Sequence, residues 1–310
     1  MCKKFLFFYF CIVFSLFGIN NGENMKEGFV EVKGGKIWYK VLGTDTGKLP
    51  ILIIHGGPGA PHDYLENLEK LGTDRLVLFY DQLGCGLSDR PNDTTLWNIE
   101  RFSSEISALL NYLQIKQVHL LGQSWGSMLA LHFYLNQSEI KIESLIFSGP
   151  FLNAKMFAED VRNMVNDLPE KEKNIIFECE AKGDYTNTQY QEVMNKFYGL
   201  HVCRINPFPE CMNRTFEKMG LDVYSFMWGA SEFSIFGTLK NADYTDKLGL
   251  IDVPVLFTCG EFDEATPKTT EYYSSKVKNS KFVIFSHASH MHHLEREEEY
   301  LKTVNEFLNN

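Results

Sequence analysis

The sequence predicts an α/β fold, a mostly parallel sheet flanked by helices, with a helical cap inserted late in the chain. Three observations carry this reading. Short apolar runs recur at Ile51–Ile54, Arg75–Tyr80, Val118–Leu121, Ile142–Ser148, Val253–Thr258 and Lys281–Ser286, and strands apolar along their whole length are those covered on both faces, as in parallel sheets. Helix-like stretches alternate with them, at Ile99–Leu113 and after the Gly122–Gly126 turn, which is the pattern of α/β domains. The alternation then breaks between Pro150 and Val253, where no buried-strand run appears.

At the N-terminus, Lys3 and Lys4 precede an apolar run from Phe5 to Ile19, followed by polar residues 20–24. This is the basic and apolar sequence of a secretory signal. The run falls short of the ~20 residues of a membrane span, so export, secreted or periplasmic, is the expectation for residues 1–22. No small-x-small cleavage site follows, so membrane attachment through an uncleaved leader stays open.

With 310 residues, 44% hydrophobic and 23% charged, the chain has the composition of an ordinary globular protein. Its net charge of −10 and lack of a clustered basic patch argue against a nucleic-acid partner. Five cysteines lie beyond the leader, none in a CxxC pair, which argues against a zinc or redox site. Cys203 and Cys211 flank Pro207 and Pro209; in an exported protein such a loop is a candidate disulfide, the alternative being two partly buried thiols.

Gly28–Val41 alternates apolar and polar residues about Gly34-Gly35 and reads as a β-hairpin at the sheet edge. Segments 23–150 and 241–310 then form the sheet-bearing core. Residues 151–240 form the cap, rich in Glu, Lys and Asn from Ala158 to His201, with Thr188 and Gln191 spaced as a capping box. Glu295–Phe307 closes the chain as an amphipathic helix.

Chemistry enters at Val118–Leu131, where a strand runs into Gly122-Gln123-Ser124-Trp125-Gly126 and then a helix. A GxSxG at a strand-to-helix junction is a nucleophile elbow, with glycines where a side chain would be crushed and Ser124 projecting. Asp263 and His290 follow at the ends of two later apolar runs. Serine is a poor nucleophile unaided, so a histidine takes its proton and a carboxylate orients the imidazole. Position alone does not choose among His287, His290, His292 and His293. A metal tract is disfavoured because no other ligand set accompanies them, and neither metal nor cofactor is expected.

The motifs HGGPG (55–59), DQLGCGLSDRP (81–91), GQSWGS (122–127), GEFDEATP (260–267) and SHMHHLE (289–295) together resemble the proline iminopeptidases and tricorn-interacting aminopeptidases of the α/β-hydrolase superfamily. The resemblance runs from Gly28 to the end. It selects His290 as the base, supports Asp263 as its partner, and implies an oxyanion hole from the backbone N–H groups of Gly57 and Trp125. His55 and Asp81 are expected to brace loops. WGASEFSIFGTLK resembles the family's amine-binding segment, which implies that Glu232 receives the substrate's ammonium; Glu264 matches the second such carboxylate of tricorn-interacting members. Tyr224, Phe226, Trp228 and Phe233 are candidates for an apolar slot. The implied activity is that of a prolyl aminopeptidase on short peptides or amino-acid amides. The alternatives are a carboxylesterase or amide hydrolase on small molecules and, more remotely, a non-catalytic binding protein of this fold.

Overall fold

The computed structural model describes residues 25–310; the leader, with its expected processing or anchoring, lies outside the described residues. β1 (Lys26–Val32) and β2 (Gly35–Gly43) pair antiparallel through a Gly34-Gly35 turn, Gly34 at φ +102°. β2 pairs antiparallel with β4 (Leu76–Tyr80), and from there every pairing is parallel. With β3 (Ile51–Ile54), β5 (Gln117–Gln123), β6 (Lys141–Ser148), β7 (Val255–Gly260) and β8 (Ser280–Phe285), the order is β1-β2-β4-β3-β5-β6-β7-β8.

The apolar runs are central strands because the chain buries both their faces. Leu52 and Ile54 join Leu78, Tyr80 and Leu120 in one core, whereas Ile51 and Ile53 join Val77, Phe79 and Leu121 in the other, as two-residue side-chain alternation requires. β8 departs from this. Its run SKFVIF is apolar, yet only Phe285 is buried and Ile284 is exposed, because β8 is the sheet edge.

Helices α1 (Ile99–Tyr112), α2 (Trp125–Asn136), α8 (Pro267–Ser275), α9 (His292–Glu295) and α10 (Glu297–Leu308) belong to the sheet-bearing segments; α3 (Ala154–Asn166), α4 (Glu170–Lys182), α5 (Thr188–Phe197), α6 (Glu210–Glu217) and α7 (Leu221–Met227) lie between β6 and β7. α2 is buried from Trp125 through Phe133, which is why its sequence is apolar all round. α5 corrects one expectation: the cap is Asn187, whose side chain accepts from the N–H groups of Gln189 (3.0 Å) and Tyr190 (3.4 Å), while Gln191 Nε2 donates to Tyr185 O. The helix begins one residue earlier than a Thr188 cap requires, and Asn is an equally good N-cap. A second correction concerns Cys203 and Cys211, which are free thiols. Both pack as small apolar groups against the core that contains Val202 and Met212. No helix among the described residues is long and apolar enough to cross a membrane.

Candidate active site

Ser124 stands between β5 and α2 with φ 54° and ψ −122°, a conformation that side-chain-bearing residues rarely adopt. Its neighbours explain how the chain tolerates this. A Cβ on Gly122 would lie 2.2 Å from Gly126 O, and one on Gly126 would lie 2.2 Å from Ile54 O, so only glycine lets the turn close and α2 approach the end of β3. The HGGPG loop packs against the same turn, since a Cβ on Gly56 would meet the Ser124 Cβ at 2.9 Å. Tyr64 locks the two together: its hydroxyl donates to Gln123 Oε1 (2.6 Å) and accepts from Gly56 N–H (2.7 Å). Nothing in the sequence around Tyr64 marks it, because its role exists only once the loops meet.

The four C-terminal histidines separate sharply. His290 Nδ1 donates to Asp263 Oδ1 at 2.7 Å, and both residues are buried. Asp263 also accepts from the backbone N–H groups of Ala265 (2.8 Å) and Gly260 (3.2 Å), which fixes the carboxylate. His287 is exposed. His292 is buried, its Nε2 within 3.0 Å of the Ser148 and Thr258 hydroxyls, and burial holds its pKa down at about 4. His293 Nε2 donates to Tyr64 O at 3.0 Å, and burial lowers it to about 3. Only His290 shares a cavity with Ser124. The π-helical turn Tyr198–Val202 positions it, as His290 N–H donates to His201 O (3.0 Å) and Met291 N–H to Val202 O (2.8 Å). Gly149 also contributes: it has φ +54°, and a Cβ there would press on the His290 ring at 2.8 Å.

Ser124, His290, Gly57, Glu232 and Glu264 all line one cavity of about 280 Å³. Trp125 opens α2, where backbone N–H groups have no intrahelical partner. Tyr224 OH donates to Glu232 Oε2 at 2.7 Å, and Glu264 Oε1 lies 3.8 Å from His290 Nε2. Burial pushes the Glu232 carboxyl up, and burial followed by the charges of Glu232 and Asp263 pushes Glu264 well above the usual range. Glu264 Oε2 is buried with no hydrogen-bond partner among the described residues. Two desolvated carboxyls with spare acceptor capacity have the chemistry to receive a cation.

Of the expected apolar slot, Tyr224 and Trp228 line this cavity, but Phe226 and Phe233 do not. Phe226 faces a separate surface cleft, and Phe233 is buried against Tyr190 and Phe197. The α7 turn directs Tyr224 and Trp228, four residues apart, to one face and Phe226 to another. Sequence inspection passed over Tyr198, Phe216 and Leu221, which also line the cavity.

His55 and Asp81 brace loops: His55 Nε2 accepts from Gln82 N–H (2.8 Å), and Asp81 accepts from His62 N–H and Leu87 N–H (both 2.9 Å). One other group of potential metal ligands, His62, Asp63 and Glu66, comes together among the described residues. Its donors are engaged, His62 with Asp81, Asp63 with Arg214 and Lys218, and Glu66 with Arg214. A larger cleft of about 670 Å³ opens at the opposite ends of the strands, beside Arg75 and His119, and holds none of the motif residues.

Residues 50–297 match the model of the α/β hydrolase fold family. The proline iminopeptidase of Heyndrickxia coagulans is 41% identical over 284 residues, covering 91% of this chain and 98% of that relative. The chain belongs to the proline iminopeptidase family. Among solved structures, the proline iminopeptidase of Mycobacterium smegmatis superposes with a TM-score of 0.85 at 32% identity, covering 92% of this chain and 98% of the other. VinJ superposes with a TM-score of 0.87 at 31% identity, with the same coverage.

Proposed function

We propose that this chain is a serine aminopeptidase that releases proline, or another apolar residue, from the amino end of short peptides through an acyl-enzyme. The observation that carries this is the pairing of half-buried Glu232 with buried Glu264 in the cavity that holds Ser124 and His290. In this reading Ser124 Oγ attacks the carbonyl carbon while His290 Nε2 takes its proton, and Asp263 holds the Nδ1–H and stabilises the imidazolium. The N–H groups of Gly57 and Trp125 donate to the oxyanion as it forms, a contribution on the order of 10²–10³ in turnover per donor. His290 returns its proton to the departing nitrogen, and water then releases the residue from Ser124. Glu232 and Glu264 receive the substrate ammonium, whose charge favours ionisation of carboxyls that burial has discouraged. Tyr224 and Trp228 line the slot for the proline ring.

Residues 151–240 act as the cap that excludes folded proteins from Ser124. Export, with the leader either cleaved or retained as an anchor, rests on Lys3, Lys4 and the apolar run from Phe5 to Ile19. N-terminal sequencing of protein recovered from the medium, the periplasm and membranes tests it, and recovery in none of these fractions contradicts it.

A fluorophosphonate probe tests the chemistry. The account expects a single adduct on Ser124 whose formation is slowed by proline amide and not by acetylproline amide. No adduct contradicts serine catalysis. Equal protection by both amides moves the chain to a general esterase or amide hydrolase.

A further inference from the structure

The cavity is chemically asymmetric. Glu232 and the buried Glu264 line it together with an apolar stretch, Phe216, Met219 and Leu221, that reaches the surface and forms its mouth. Phe216 is 41% exposed and Leu221 65% exposed, so the mouth presents uncovered apolar surface. Leu221 is placed on the carbonyl side of the site, because its neighbour Gly220 donates N–H to Gly59 O at 2.8 Å and so joins α7 to the HGGPG loop. No lysine or arginine lines the cavity, whose acidic and basic side chains are the two glutamates and His290. Of the cations beside the segment leading to Leu221, Arg214 and Lys218 are held by Asp63, and Arg90 donates to the backbone carbonyls of Lys218 and Met219.

We propose that this mouth is a subsite for an apolar residue immediately following the one released, and that it discriminates against a free carboxylate on that residue. The inference rests on the aminopeptidase reading, which fixes the amino end at Glu232 and Glu264 and leaves the mouth as the way out for the leaving group. An apolar side chain there covers Phe216 and Leu221, and methionines adapt to side chains of different shape. A dipeptide's carboxylate would instead sit in the negative field of the glutamates, with no lysine or arginine in the cavity lining to receive it. The substrates favoured are peptides of three or more residues, or dipeptide amides, with Leu, Phe or Met second.

The test is kcat/KM of the full chain on Pro-Phe-amide, Pro-Gly-amide and Pro-Phe with a free carboxylate, with the F216A and L221S variants alongside. Both variant sites are exposed, and an unchanged urea midpoint checks that each variant folds. The expected result is a preference of about tenfold or more for Pro-Phe-amide over Pro-Gly-amide, the scale of apolar pocket discrimination, and a several-fold loss when the amide becomes a carboxylate. Each variant should bring the Phe-to-Gly ratio down toward one. Release of proline from all three at one rate, or variants that keep the full ratio, overturns this inference alone. No release from any of them overturns the aminopeptidase reading and this inference with it.

Discussion

Glu264 Oε1 lies 3.8 Å from His290 Nε2, so the carboxylate proposed to receive the substrate amine and the imidazole's free nitrogen share one corner of the cavity. An α-amine sits roughly 2.5 Å from its own carbonyl carbon, two bonds away along the chain. A site that must hold both at once has room for one residue between them. This spacing suits removal of a single amino-terminal residue and not cleavage within a chain.

Removing the amine contact separates substrate classes. Glu232→Ala should lower kcat/KM for prolyl naphthylamide by roughly 10–100-fold, the scale of a lost charge-assisted hydrogen bond, mostly through KM. It should spare an N-blocked ester. Equal loss on both substrates contradicts the role of Glu232.

Tyr224→Phe removes the hydroxyl that donates to Glu232 Oε2 at 2.7 Å. The expected effect is smaller, a few-fold rise in KM with kcat retained, about 0.5–1.5 kcal/mol for one hydrogen bond. Parallel kinetics of the two variants check the order.

The two carboxyls also predict a pH dependence. Burial raises both above the ordinary carboxylate value, so as pH falls they take up protons earlier than an exposed glutamate and lose their attraction for ammonium. KM for free-amine substrates should rise on the acid side from a pH above the ordinary carboxylate range. KM for N-blocked esters should stay flat over the same interval, and a parallel rise in both contradicts the prediction.

Stability should fall with acid for a different reason. His55 and His292 are held down to about 4, and His293 to about 3, in each case chiefly by burial, against 6.5 when free. Below 6.5 these three histidines bind more protons in the unfolded chain than in the folded one, so their contribution to the unfolding free energy decreases as pH falls, against a smaller opposite contribution from the raised carboxyls of Glu105, Glu232 and Glu264. The contribution is complete above about 6.5 and is lost progressively toward about 4. Urea midpoints measured between pH 7 and 5 should fall, and a flat profile contradicts this.

Much of this was legible because local sequence and tertiary role coincide. Gly122 and Gly126 announce the elbow, and contacts of 2.2 Å explain why no other residue serves there. Wholly apolar runs announced the central strands, but the same composition misdescribed β8, since strand position in a sheet is not written in the strand. Phe226 and Phe233 could not be told from Tyr224 and Trp228 because helix phase, not composition, decides which aromatic faces the cavity. Tyr64 and Gly149 were illegible for another reason: each acts only through residues distant in sequence, Tyr64 through Gly56 and Gln123, Gly149 through His290. The Cys203 and Cys211 pairing failed because sequence separation does not reveal that both thiols pack into the core.

Hydrolysis of prolyl naphthylamide beside its N-acetylated counterpart, by the wild-type chain and by Ser124→Ala, tests the central claim most directly. The account predicts rapid release from the free amine, none from the acetylated compound and none by the variant. Comparable release from both compounds by the wild-type chain would contradict it and remove the assigned roles of Glu232 and Glu264.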